Sequence, residues 1–271
     1  MEVTGLAAIT EFDPFENVEI SLDGVAPYGE VSLEVKSKDG MYGELSYNID
    51  KSSNLSNGDE VTITVDAGWY SDDINEYCGS NYGMKPSKTQ MTYKIQGLGS
   101  YVAQLDSVSE SAMTQMKNQV ESDFNNYVSQ NWSERATLDQ MSYVGAYFLG
   151  KSDPESYTSY ENMIKLVYQV DATIHYDADE TDEEKEIKDK TSYFYCVTFY
   201  NLQNDSNGVT SVDLEDNSTV GNYFTKDVSY GDDFYDYDSY WFYGYETLDE
   251  LKSSEVDYFT DSYTVQNQGL K

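Results

Sequence analysis

Ile164-Lys165-Leu166-Val167-Tyr168-Gln169-Val170-Asp171-Ala172-Thr173-Ile174-His175-Tyr176 is the stretch from which the fold is read. Positions 164, 166, 168, 170, 172, 174 and 176 are apolar or aromatic without a break, while Lys165, Gln169, Asp171, Thr173 and His175 occupy alternate positions. A period of two held over thirteen residues is that of a long β-strand, because successive side chains of extended backbone leave opposite faces. One face is expected to be core and the other wet. Residues 191–201 follow with aromatics on both faces (Tyr193, Phe194, Tyr195, Phe199, Tyr200), the pattern of a central strand. Residues 141–149 read as an earlier strand and 237–245 as a later one; 209–214 read as a strand after the turn signal Asn204-Asp205-Ser206-Asn207-Gly208. Thr247-Leu248-Asp249-Glu250 then has the spacing of a capping box and opens a short helix.

Upstream of these strands the period is different. Val108, Ala112, Met116, Val120, Phe124 and Tyr127 or Val128 recur at helical steps, which predicts one long helix over about 108–130 with Ser107 and Glu110 as its capping box. A helix with one apolar face, followed at once by a sheet, is expected to cover that sheet. Residues 101–271 thus read as an α+β domain in which a curved antiparallel sheet wraps a helix, the element order of cystatin-like and nuclear-transport-factor-like folds. Earlier still, Val18, Ile20 and Leu22, then Val31, Leu33 and Val35, then Val61, Ile63 and Val65 mark short alternating strands, with residues 91–95 as a further one. Gly24, Pro27, Gly29, Asp39-Gly40 and Asn57-Gly58 supply turns between them, and 72–77 reads as one helical turn. Five or six strands at this spacing predict an immunoglobulin-like β-sandwich over residues 1–100, so the chain is mainly β with an α+β second domain.

Sixteen Lys and Arg stand against 50 Asp and Glu, a net charge of −34. Such a surface repels phosphate backbones and anionic headgroups, which removes nucleic acid from the expected partners. Charge of this size can mark disorder, but 27 Tyr and 10 Phe supply ample surface to bury. No run approaches the roughly 20 apolar residues of a membrane span, and Met1-Glu2-Val3-Thr4-Gly5 reads as a boundary from which a signal or anchor has been trimmed. The abundance of Asp, Asn, Ser, Thr and Tyr over Lys and Arg suits an exported protein. Cys78 and Cys196 lie in different predicted domains and read as buried free thiols.

Asp13-Pro14-Phe15-Glu16-Asn17-Val18, Leu55-Ser56-Asn57-Gly58-Asp59-Glu60-Val61-Thr62-Ile63-Thr64-Val65, Tyr82-Gly83-Met84-Lys85-Pro86 and Tyr93-Lys94-Ile95-Gln96-Gly97-Leu98 follow one another over residues 13–98. The series resembles a repeat of uncharacterised surface-anchored or lipoprotein ectodomains of Gram-positive gut bacteria. That resemblance implies a location, the cell exterior with an anchor upstream, and no particular reaction.

Candidate chemistry is sparse. His175 is the one histidine, and no Gly-x-Ser-x-Gly elbow presents a serine to it. A Cys196–His175 pair reads as a chance neighbourhood of adjacent strands. One histidine and two distant cysteines leave no zinc spacing. Asp177-Ala178-Asp179-Glu180-Thr181-Asp182-Glu183-Glu184 begins like a calcium loop, but Asp182 stands where the glycine belongs and Lys188 where the bidentate glutamate belongs. That segment and Asp232-Asp233-Phe234-Tyr235-Asp236-Tyr237-Asp238 retain at most weak calcium binding, and no cofactor is expected.

The aromatic surplus is the remaining signal. Tyr230, Tyr235, Tyr237, Tyr240, Trp241, Tyr243 and Tyr245 sit among Asp and Ser, and of these Tyr235, Tyr237, Tyr240, Trp241 and Tyr243 are the candidate ligand contacts. Trp69-Tyr70 and Asn131-Trp132 are weaker candidates. The leading expectation is a non-enzymatic surface ectodomain, its first domain a spacer and its second the binding module for a protein or glycan at the cell surface. The alternatives are a carbohydrate-binding module or glycan-active enzyme using residues 230–245, and a calcium-stabilised adhesion module.

Overall fold

The computed structural model of the chain describes residues 9–36, 40–132, 136–153, 156–178, 185–229 and 237–270. The fold is mostly β and divides into two compact units, residues 1–100 and 101–271.

The first unit comprises β1 (Thr10–Phe12), β2 (Val18–Asp23), β3 (Val25–Ala26), β4 (Glu30–Val35), α1 (Met41–Glu44), β5 (Ser46–Ile49), β6 (Glu60–Asp66), α2 (Ile74–Tyr82), β7 (Met84–Pro86), β8 (Gln90–Lys94) and β9 (Gly99–Tyr101). β2 pairs antiparallel with β4, β6 runs antiparallel between β5 and β8, and β1–β7 and β3–β9 are short parallel ribbons. Alternation decides the core: Val61, Ile63 and Val65 of β6 are buried, Ile20 and Leu33 of the β2–β4 pair pack against the cluster that holds Ile63 and Val65, and Val61 joins a second cluster with Val31 of β4, Leu55, Ile95 and Leu98. The two antiparallel pieces therefore border two apolar clusters. The helical turn expected at 72–77 is a longer helix beginning at Ile74. The Asp73 side chain caps it by accepting from the Asn75 amide at 2.8 Å, and it continues through buried Cys78 to Gly83 in the left-handed conformation (φ 65°).

The second unit comprises α3 (Glu110–Asn131), β10 (Ala136–Lys151), β11 (Asn162–Ala178), β12 (Lys185–Tyr200), β13 (Gln203–Asn204), β14 (Thr210–Ser211), β15 (Asn217–Thr219), β16 (Tyr223–Ser229), β17 (Tyr237–Tyr243), α4 (Leu248–Glu255) and β18 (Tyr263–Gln268). Its main sheet is antiparallel in the order β15-β12-β11-β10-β18. Register shifts between Leu138 and Gln140 and between Tyr143 and Gly145 mark bulges in β10, which bend a strand and deepen its twist. α3 lays buried Ala112, Met116, Val120 and Phe124, at four-residue steps, toward the face carrying Ile164, Leu166, Tyr168 and Val170. Phe124 meets the Tyr195 ring at 4.8 Å. Asn162, fully buried at the start of β11, donates to the Val102 and Leu202 carbonyls and accepts from the Leu202 amide, so its amide group is satisfied.

Four expectations change. The cap of α3 is Ser109, whose hydroxyl accepts from the Ala112 amide, while Ser107 closes a single 3-10 turn and gives its carbonyl to Thr210 and Asn204. The strand expected over 209–214 is only β14, because Thr210 is turned over the helix start, where its hydroxyl accepts from the Ser109 amide at 2.8 Å. The middle strand of the five is β11; β12 lies between it and three-residue β15, and among the described residues its other side carries besides β15 a bridge from Phe194 to Tyr245.

The alternate face of β11 is wet along only half its length. Met163, Lys165 and Val167 are buried, Lys165 at 3 % exposure, while Gln169, Asp171 and His175 are partly exposed. α4 and the turn after it supply the cover: Lys165 Nζ reaches Glu255 Oε2 at 3.3 Å and donates to Thr198 Oγ1 at 2.9 Å, with its ammonium 5.3 Å from the Phe259 ring centre. The capping box of Thr247 and Glu250 is present and starts α4 as expected.

Removing one member of a buried ion pair strands the other, at a cost of about 3 kcal/mol. Lys165→Ala is expected to lose stability on that order in urea unfolding, and the double variant Lys165→Met with Glu255→Gln to recover at least half of it. Burial holds the phenols of Tyr47 and Tyr245 protonated, up to about 12, and pushes Tyr168, Tyr193 and Tyr195 upward as well. An unfolded tyrosine ionises near 10.0, so these groups contribute stability that is complete below that pH and lost as pH rises through the folded values. Alkaline titration is expected to show phenolate absorbance and loss of circular dichroism rising together above pH ~10; ionisation complete while the dichroism is still native would contradict it.

Candidate functional site

The segment rich in aromatics forms the second strand of a hairpin. β16 and β17 pair antiparallel with Tyr223 opposite Tyr243, Thr225 opposite Trp241 and Asp227 opposite Ser239 on one face, and Phe224 opposite Phe242 and Lys226 opposite Tyr240 on the other. The second face seats the hairpin on the unit. Phe242, 2 % exposed, packs edge-on to Trp132 at 5.4 Å and lies 5.4 Å from Tyr193, which also meets Phe224 at 5.4 Å. Lys226 pairs with Asp189 of β12 at 3.6 Å.

The base of the hairpin is fixed by hydrogen bonds. The Gly244 amide donates to the Asn222 backbone carbonyl and its carbonyl accepts from the Asn222 side-chain Nδ2, and Phe194 and Tyr245 exchange both backbone bonds at 2.8 and 2.9 Å. Gly244 is required there: its φ is 147°, and a Cβ would stand 2.4 Å from the Phe194 carbonyl oxygen. The Tyr245 hydroxyl donates to Glu255 Oε1 at 2.8 Å, which links the hairpin base to the Lys165–Glu255 pair.

The first face is open. Tyr223, Trp241 and Tyr243 are 48, 56 and 42 % exposed, and Tyr223 and Trp241 stack as a diagonal cross-strand pair at 4.7 Å with 26° between planes. Tyr243 stands edge-on to Tyr223 at 6.1 Å and to Tyr127 of α3 at 6.1 Å. Ser239 donates to Asp227, so the carboxylate on this face is engaged. Two depressions adjoin the rings. One, of about 310 Å³, lies between the C-terminal end of α3 (Tyr127, Asn131, Trp132) and Ser239, Trp241 and Tyr243. The other, of about 300 Å³, is lined by Asp123, Tyr127, Tyr195, Thr219, Val220 and Tyr243. Burial and then the neighbouring Tyr243 push the Tyr127 phenol upward, so it presents a neutral hydroxyl.

Of the candidate contacts, Trp241 and Tyr243 share the open face, Tyr240 lies on the opposite face while bordering the first depression, Tyr237 enters as the backbone partner of Ser229, and Tyr235 lies outside the described residues. Tyr223 and Tyr127 were not read from the sequence. The available signal for Tyr223 was cross-strand: a hairpin turning within 230–236 sets it opposite Tyr243. Of the weaker candidates, Trp132 supports Phe242 from α3, and Trp69 is fully exposed in the first unit.

A third depression, of about 440 Å³, occupies the open half of the main sheet beside Asp139, Gln140, Asp171, Lys190 and Ser192. Two of its polar groups are engaged by neighbours on the sheet: Thr173 donates to Asp139 at 2.6 Å and Gln169 to Ser192 at 2.9 Å; elsewhere on the sheet His175 Nε2 lies 3.2 Å from the Thr137 hydroxyl. Cys196 stands opposite Val167, eight residues from His175 along β11, about 27 Å of extended chain. The chance neighbourhood expected for Cys196 and His175 therefore does not arise. The acidic segments at 179–184 and 230–236 lie outside the described residues. Among the described residues no group of three or more His, Cys, Asp or Glu is placed to hold a metal ion, and no helix is long and apolar enough to cross a membrane.

Comparison with protein-family models, with curated proteins and with solved structures finds no match. Both cysteines are free and buried, and burial pushes the Cys196 thiol up to about 12 and the Cys78 thiol upward. Neither is expected to react with a thiol-specific disulfide reagent in the native protein at neutral pH, and both are expected to react in full on denaturation; fast native labelling of Cys196 would contradict the burial described for it.

Proposed function

We propose that residues 101–271 form a carbohydrate-binding module, carried by a non-enzymatic ectodomain at the cell surface in which residues 1–100 act as spacer. The observation that carries this reading is the open face of the β16–β17 hairpin, where the stacked pair Tyr223–Trp241 and the adjoining Tyr243 are held half-exposed by a buried face beneath. A pyranose ring has an apolar face of C–H bonds that suits the negative face of an aromatic ring, and hydroxyls at its rim that need polar partners. Thr225 and Ser239 supply such partners on the same face, and Asn131 at the end of α3 supplies another. Rings seated on a strand pair lose little side-chain entropy on contact.

The finer fold reading belongs to the same proposal. The β2–β4 and β5-β6-β8 pieces, which border the same two apolar clusters, support an immunoglobulin-like sandwich for residues 1–100, and a long helix followed by long antiparallel strands supports a cystatin-like or nuclear-transport-factor-like order for residues 101–271.

A glycan array probed with the whole chain and with Trp241→Ala tests the function. The wild-type chain is expected to retain a subset of glycans, and Trp241→Ala to weaken that retention by roughly tenfold, since one stacked ring is worth about 1.5 kcal/mol. Thermal unfolding of the variant is expected to stay near wild type, because most of the indole is in solvent. Retention of no glycan by the wild-type chain, or equal retention by the variant, would sink the proposal.

A further inference from the structure

We infer, resting on the sugar-binding reading, that the site takes an uncharged oligosaccharide chain threaded between α3 and the β16–β17 hairpin, and not a single sugar ring. The two depressions beside the hairpin share one wall, the edge-on pair Tyr127–Tyr243 with centroids 6.1 Å apart. Trp241 borders only the first and Thr219 only the second. The order along the surface is therefore Trp241, first depression, tyrosine pair, second depression, Thr219. Each depression is at the lower limit of volumes that hold a small ligand, about 300 Å³. Together they make a continuous track with aromatic faces at its end and at its waist.

The helix repeats the same order. Asp123, Tyr127 and Asn131 are spaced four residues apart and so lie along one face of α3, with Tyr127 at the waist, Asn131 beside the first depression and Asp123 beside the second. Eight residues of helix span about 12 Å, longer than one sugar ring. Polar, aromatic and polar groups at regular steps are suited to successive rings of a polymer, each ring stacking or bonding in turn.

Charge selects among polymers. Among the described residues, those bordering the two depressions include one carboxylate, Asp123, and no Lys or Arg, in a chain of net charge −34. A uronate or sialate chain would enter a negative field with no cation among the described lining residues to pair with, whereas an uncharged hexose or N-acetylhexosamine chain meets no such penalty.

Isothermal titration of the whole chain with cello-, malto- and chito-oligosaccharides, from monosaccharide to hexasaccharide, with oligogalacturonides as the charged counterpart, tests the inference. Affinity for one neutral series is expected to rise at least tenfold from monosaccharide to trisaccharide and then level. Thr219→Arg, an exposed strand position where the new side chain fills the second depression, is expected to abolish that rise, with an unchanged unfolding midpoint. Tyr243→Ala, at the shared wall, is expected to weaken every length, with an unchanged unfolding midpoint showing that the fold is intact. Affinity independent of length, a length dependence untouched by Thr219→Arg, or tighter binding of oligogalacturonides would overturn the inference and leave the sugar-binding reading standing. No binding of any glycan in these titrations or on the array would overturn both.

Discussion

Burial of β11 on both faces is the constraint on which the second unit depends. Along one face its alternate residues Ile164, Leu166, Tyr168 and Val170 join the apolar cluster that α3 completes, and along the other its first half is covered by α4. The second cover is polar at its centre: Lys165 is surrounded by Thr198, Glu255 and the Phe259 ring. A charge this deep is tolerated because all its neighbours answer it, and the same Glu255 reaches Tyr245 and through it the strand exchange with Phe194. The ion pair therefore fixes more than the sheet. It anchors the base of the hairpin whose far face carries the exposed rings.

That linkage explains how a two-stranded hairpin, which is marginal by itself in water, can present aromatic rings in a set arrangement. Its inner residues Phe224 and Phe242 join Trp132 and Tyr193 in one aromatic cluster, and its outer residues follow from the register those inner contacts impose. A slip of one residue would turn Trp241 inward and Phe242 outward. The packing under the hairpin thus decides the chemistry above it.

Period and capping were legible in the sequence wherever one local rule decided the outcome. The alternation of 164–176, the helical steps from Ala112 to Phe124 and the box at Thr247 and Glu250 all correspond to elements of the fold. Where tertiary cover decided, the pattern was ambiguous. Lys165 sits in an alternation that looks wet, yet Met163 and Val167 on the same face are apolar and were the signal that half of it is covered. Ser107 has the spacing of a cap, yet the cap is Ser109; both meet Thr210, a hundred residues away, which donates to the Ser107 carbonyl and accepts from the Ser109 amide. The open aromatic face was half legible: Trp241 and Tyr243 belong to one strand, but Tyr223 joins them only through pairing and Tyr127 only through helix packing, neither of which a linear pattern records.

β18 pairs with β10 along Ala146 to Lys151, with Gly150 and Thr264 joined across 114 positions. A chain made from its first residue onward must therefore hold β10 with one side unpaired by β18 until the last of these residues is available. Contacts this distant delay closure of the sheet, and an unpaired edge is an opening for the wrong neighbour. During synthesis the segment is edged on that side by its own sequence alone, where Lys151 is the one charge among residues 146–151. The strong negative charge of the chain acts at this stage as well, since nascent copies that repel one another are less able to join edge to edge before the last strand arrives.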